Sequence, residues 1–198
     1  MRYEKKLIYG VGINDWDTPV RQNGKLIKEY YLWQGMLQRC YSDWFHNRQP
    51  SYRDVTCSKE WLSLSTFTKD IRAKKNFDKC LSEGWQLDKD ILLKGCKHYS
   101  NETTCFVPPA INNVILKSDR ARGNLCIGVS AVKGRFQAQL RREDRKNITA
   151  YFDTEVKAFL FYKKEKEKQI KRLADLFKDQ LDSKVYQALI NYQVEITD

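Results

Sequence analysis

The chain has 198 residues, 41% hydrophobic and 13% aromatic, enough apolar material for one large core or two small ones and too much for a disordered chain. Its 36 Lys and Arg outnumber 25 Asp and Glu, and the resulting charge of +11 favours a polyanionic partner, nucleic acid before an anionic surface. No apolar run approaches the roughly 20 residues that cross a bilayer, and the opening MRYEKKLIYG has no signal-peptide core, so the expectation is a cytoplasmic protein without a membrane partner.

Six cysteines, Cys40, Cys57, Cys80, Cys96, Cys105 and Cys126, stand singly in mostly apolar surroundings, favouring reduced core thiols over a disulfide framework. A zinc set drawn from Cys80, Cys96, His98 and Cys105 lacks any CxxC pair.

In chain order, LIYGVGINDWDTPVRQNGKLI combines short apolar runs with three glycines and an Asn-Gly pair, a strand, loop and turn pattern. From Tyr30 onward Trp33, Met36, Leu37, Cys40 and Tyr41 recur at helical spacing and form one core face. A polar loop through His46, Asn47, Arg48 and Pro50 leads to a short strand at 54–57, after which Ser58 is placed as the cap of a helix burying Trp61, Leu64, Phe67 and Ile71. A basic connector at 72–79 precedes a strand from Trp85 to Leu92. The loop LKGCKHYSNET, a strand at 104–107 and a helix opened by Pro108 and Pro109 follow, completing a ββα unit.

Beyond Lys117 the stretch SDRARGN reads as a linker, giving two domains, 1–116 and 117–198. Between Val114 and Arg172 sixteen Lys and Arg face seven Asp and Glu, so most of the chain's charge excess is concentrated here. Three strands fit this segment, 124–130, 135–142 and 147–152, joined by a Lys133-Gly134 turn and a longer one at 143–146. A helix starting at Asp153 or Thr154 takes Val156, Phe159, Leu160, Tyr162, Ile170, Leu173, Leu176 and Phe177 as its apolar positions; its KKEKEKQ middle reads as solvated, with Glu and Lys pairing at i, i+4. A short helix and an extended VEIT close the chain.

The middle strand alternates strictly, placing Phe136, Ala138 and Leu140 on one face and Arg135, Gln137, Gln139 and Arg141 on the other. Arg pairs with guanine and Gln with adenine in the major groove, which is wide enough for a β element. The full polar face is expected to be Asn124, Cys126, Gly128 and Ser130, then the Arg and Gln row, then Asn147, Thr149 and Tyr151.

This arrangement resembles the ethylene-response-factor-type DNA-binding domain and the similar amino-terminal domain of some phage and transposon integrases, over about residues 124–172. The likeness rests on Ile127-Gly-Val129, Arg135-Phe-Gln-Ala138, Tyr151-Phe-Asp-Thr154, Glu155 and Ala158. It implies a three-stranded sheet backed by one helix. It also implies base contacts from Arg135, Gln137, Gln139 and Arg141 and phosphate contacts from Lys133, Arg142, Arg145 and Lys146. Thr149 and Tyr151 on the hydroxyl-bearing edge, and Arg120 and Arg122 in the linker, complete the expected DNA-contacting set.

The first half resembles phage-encoded HNH (ββα-metal) endonuclease-like proteins through Trp33, Met36, Arg39 and Cys40, Cys57 and Trp61, Leu87-Asp-Lys-Asp90, Tyr99-Ser100, Cys105 and Asn112. The resemblance implies Asp88 as an acidic metal ligand, with Asp90 as a second carboxylate. Lys89 and Asn112 fall at matching positions and are further catalytic candidates; neither His46 nor His98 lies where the family's base sits, and His98 is a candidate only as a loop residue acting from a different direction. Lys89 stands where the family has its base and Thr104 where it has an Asn. A lysine of ordinary pKa cannot accept a proton at neutral pH. The expectation is therefore an α+β protein: a helical region with a degenerate HNH-like ββα unit, then a sheet-and-helix reader of double-stranded DNA. It would need no cofactor and act in phage-type regulation or host takeover. The alternatives are a nicking or homing endonuclease using Mg2+ or another divalent metal, and a phage adaptor binding a host protein.

Overall fold

The structure is a computed structural model, described over residues 6–115, 125–142 and 146–196. The chain is α+β and divides into two compact units, Met1–Val107 and Pro108–Asp198. That division falls ahead of the boundary expected at 117 and groups the helix after Pro108 with the second unit. No helix among the described residues is long and apolar enough to cross a membrane.

In the first unit a small hairpin, β1 (Arg21–Gln22) and β2 (Lys25–Leu26), turns at Asn23-Gly24. The Trp33 periodicity then becomes α1 (Lys28–Tyr41), which buries Trp33, Met36, Leu37 and Cys40. The loop expected through His46 is instead a helix, α2 (Asp43–Arg48), because the Ser42 hydroxyl accepts from the Phe45 N–H at 3.3 Å and caps it. After β3 (Thr56–Cys57) a single 3-10 turn, Lys59–Leu62, intervenes. The expected Ser58 cap therefore moves to Ser63, which accepts from the Thr66 N–H at 3.1 Å and opens α3 (Leu64–Ala73).

Trp61, Leu64, Phe67 and Ile71 are all buried, as their spacing requires. Buried Glu29 of α1 takes two hydrogen bonds from Arg72 of α3, at 2.9 and 2.6 Å, tying the two helices. The expected basic connector is partly helical: left-handed Asn76 breaks the chain and α4 (Phe77–Ser82) follows. The next strand shortens to β4 (Gln86–Asp88). The loop after it contains β5 (His98–Tyr99), which pairs in parallel with β3, and β6 (Cys105–Val107) returns antiparallel to β4.

The second unit begins with α5 (Pro109–Ile115), packed beside a later long helix. Its sheet is antiparallel, β7 (Val129–Val132), β8 (Arg135–Arg141) and β9 (Asn147–Phe152), with β8 central. Lys133 and Gly134 both have positive φ, 49° and 76°, the two-residue turn whose twist suits a hairpin. Thr154 accepts from the Lys157 N–H at 3.3 Å and starts α6 (Glu155–Leu176). The apolar sheet face, with Val129, Ala138 and Leu140, packs on Ala158, Phe159 and Tyr162 of α6 and on Val194 from the tail.

Two expectations on this unit need correction. The strand placed at 124–130 starts only at Val129, because Gly128 is left-handed at φ +73°, in a place where a Cβ would fall 2.1 Å from the Tyr162 ring. Cys126 accordingly packs against the core and not on the polar face, its N–H held by Glu155 at 2.7 Å. On α6, Val156, Leu160 and Leu176 are exposed, and Ala158 and Ala174 take the buried places beside Phe159, Tyr162, Ile170 and Leu173. In its polar middle Lys163 and Glu167 pair at 2.9 Å and grip the Val194 backbone, Lys163 donating to its carbonyl and Glu167 accepting from its N–H. The tail is thus pinned beneath the sheet after α7 (Ser183–Ile190).

Candidate nucleic-acid interface

The period of two on β8 becomes two chemically distinct faces because one is covered by α6. Ala138 and Leu140 are buried, whereas Arg135, Gln139 and Arg141 are exposed and Gln137 is half-buried. Cross-strand register places Ser130 beside Gln137 and Val132 beside Arg135. On the other side Tyr151, Thr149 and Asn147 stand opposite Gln137, Gln139 and Arg141. The Arg and Gln row is therefore the spine of a continuous polar face.

Basic side chains bracket it. Lys133 is exposed at the tip of the β7–β8 hairpin, and Arg142 and Lys146 are exposed at the opposite end, where the Arg142 N–H donates to the Lys146 carbonyl at 2.8 Å. Arg145, Arg120 and Arg122 lie outside the described residues. On the face itself, the Ser130 hydroxyl donates to Gln137 Oε1 at 3.3 Å and Gln137 Nε2 donates to the Tyr151 hydroxyl at 3.4 Å. Arg135 donates to the Tyr151 carbonyl at 3.3 Å and lies 3.5 Å from Asp153.

Asp88 and Asp90 both hydrogen-bond within the first unit. Asp88 Oδ1 accepts from the N–H groups of Asp90 and Ile91 at 2.8 and 2.9 Å, closing the turn after β4. Buried Lys89 donates to Asp90 Oδ1 at 2.7 Å and to the Cys96 carbonyl at 2.6 Å, and sits over the Tyr99 ring at 5.7 Å. A lysine so engaged is a structural pin. His98 is exposed on β5 with Nδ1 2.9 Å from the Thr56 hydroxyl, and Asn112 belongs to α5 in the second unit. Among the described residues no three His, Cys, Asp or Glu side chains converge to hold a metal. Among those residues Asp88 and Asp90 have no third ligand of these types beside them, and Cys80, Cys96, His98 and Cys105 are not gathered as a zinc set.

Burial, reinforced by Asp90, pushes the Asp88 carboxyl above its ordinary value of 3.8. A raised folded pKa means that ionising Asp88 opposes folding, and this penalty grows as pH rises through the carboxylate range. Asp88→Asn keeps the Oδ1 acceptor and removes the buried charge. It is expected to melt higher than wild type at pH 7, the gap closing as pH falls toward 3.8; thermal melts at the two pH values check this, and a variant melting lower at both would contradict it.

A second buried group joins Cys40, Cys57 and Tyr41. Hydrogen bonding from Cys40, against the opposing effect of burial and with help from the Tyr41 hydroxyl 3.5 Å away, brings the Cys57 thiol down to about 7, while Cys40 is pushed up. These are thiols packed between α1 and β3, and no disulfide links them.

Asn147, which like Ser130 the sequence reading placed on the polar face, stood outside its contacting set. Its signal was the Asn147, Thr149, Tyr151 alternation along β9, which puts it on the same face as the other two. Comparison of the chain with known protein families, with curated proteins and with solved structures found no match.

Proposed function

We propose that the protein binds double-stranded DNA through the polar face of β7, β8 and β9, in a regulatory role and without hydrolysing it. The observation that carries this reading is the amphipathic β8. Its four long polar side chains share one face, bracketed by Lys133 and by Arg142 and Lys146, while its other face is sealed by α6. Arg and Gln are the side chains that make bidentate contacts to guanine and adenine, and flanking cations supply the phosphate contacts that set register. The engagement of Asp88 by two backbone amides and of Lys89 by Asp90 and Cys96 supports a first unit that serves as a scaffold.

A gel shift of the full chain on duplex DNA at graded salt tests the proposal. Arg135→Ala and Arg141→Ala are each expected to weaken binding by about 1–3 kcal/mol, and Lys133→Ala to weaken all sequences alike while lowering the salt slope by about one. If neither arginine variant differs from wild type, this face is not the interface. Magnesium-dependent plasmid nicking by wild type that Asp88→Ala abolishes would overturn the non-hydrolytic part.

A further inference from the structure

The polar face is divided in its hydrogen bonding. Toward the hairpin tip the groups are spent on one another: Ser130 on Gln137, Gln137 on Tyr151, and Arg135 on the Tyr151 carbonyl and Asp153. At the other end the side chains of Gln139, Arg141, Thr149 and Asn147 make no hydrogen bond or ion pair among the described residues. These four are two adjacent cross-strand pairs, Gln139 with Thr149 and Arg141 with Asn147, so they form one contiguous patch.

We infer that base recognition resides in this patch of Gln139, Arg141, Thr149 and Asn147, that Gln137, Ser130 and Tyr151 are positioning residues that hold the face together without reading sequence, and that Arg135 adds affinity through the phosphate backbone and not base choice. The inference rests on the proposal that the face meets duplex DNA. Its physical basis is that a side chain bonded within the protein must break those bonds and leave its partners unpaired before it can pair with a base, whereas an exposed amide or guanidinium with no protein partner exchanges only water.

Spacing then specifies the ligand. Residues two apart on a strand are separated by about 6.6–6.8 Å, and successive base pairs by about 3.4 Å, so Gln139 and Arg141 on a strand lying along the groove address pairs two steps apart. With Gln directed at adenine and Arg at guanine, the expected core is three base pairs long with an A·T pair at one end and a G·C pair at the other. Thr149 and Asn147 address the same window from the neighbouring strand.

Binding-site selection from random duplexes, run with the full chain as wild type, Gln139→Ala, Arg141→Lys, Gln137→Ala and Tyr151→Phe, tests this. Wild type is expected to select the short core. Arg141→Lys, which keeps the charge but loses the bidentate fork, should still bind bulk DNA while its guanine preference falls by about 5- to 150-fold. Gln139→Ala should lose the adenine preference alone, and Gln137→Ala and Tyr151→Phe should return the wild-type core. A relaxed core in the latter two with an intact one in Gln139→Ala and Arg141→Lys would overturn the assignment. Wild-type binding without any selected core would overturn it too and leave duplex binding standing. Failure of wild type to retain any duplex would instead remove the DNA reading itself.

Discussion

Trp33→Ala is expected to destabilise the protein by about 3–5 kcal/mol, the range for truncating a buried large aromatic. Trp33 is fully buried in α1, beside Tyr30 at 5.8 Å between ring centroids, and its Nε1 donates to the Trp61 carbonyl at 2.8 Å. That bond links α1 to the turn that carries Trp61. Trp61 in turn packs edge-on to Phe67 at 5.0 Å and donates to Asp70 at 2.7 Å, so the indole of Trp33 is the first link in a chain joining α1 and α3. Alanine leaves a cavity and a buried carbonyl without its donor. Urea unfolding followed by tryptophan fluorescence reads the loss, and a cost below about 1 kcal/mol would mean that this cluster is not the keystone of the first unit.

Gly128→Val is the second large effect, at about 2–5 kcal/mol, and it acts in the other unit. Two penalties combine. A β-branched residue is forced to φ +73°, where the side chain crowds its own backbone, and the new Cβ is driven into the Tyr162 ring. Tyr162 is one of the buried residues on which the sheet packs, so displacing it loosens the seam between β7 and α6. Gly128→Ala should show most of the same loss in a thermal melt, because the collision begins at the Cβ. A neutral Gly128→Ala would contradict the close approach. Duplex binding should fall in these variants only with the fraction unfolded, unlike substitutions on the polar face.

What was legible in the sequence was periodicity with strong chemistry behind it. The Trp33, Met36, Leu37, Cys40 stripe gave α1, Asn23-Gly24 and Lys133-Gly134 gave the two tight turns, and the β8 alternation gave both the sheet and its exposed face. What was not legible depended on a few hydrogen bonds. Ser42 and Ser63 became caps where a loop and a different cap were expected, since several serines nearby offered the same chemistry. The strand before Ser130 was misplaced because Gly128 fits an apolar alternation equally well as a strand residue or as a left-handed break. The Tyr162 ring that leaves no room for a side chain at the break is more than thirty residues away. In the candidate site the face could be read from β8 and β9, but the division between spent and unspent side chains could not, because it depends on the Ser130–Gln137–Tyr151 register.

The central claim is that one face of the sheet binds duplex DNA, as opposed to the general basicity of the chain. The most direct measurement compares two charge-reversed variants of equal net charge in a salt-titrated duplex-binding assay. One carries Arg135→Glu and Arg141→Glu on the polar face, and the other carries Lys164→Glu and Lys168→Glu on the exposed side of α6. At about 0.15 M salt, where exposed charges more than about 8 Å apart are largely screened, the face variant should lose at least about tenfold more affinity than the helix variant. Equal losses in the two would contradict the account and leave only a diffuse attraction between a +11 chain and DNA.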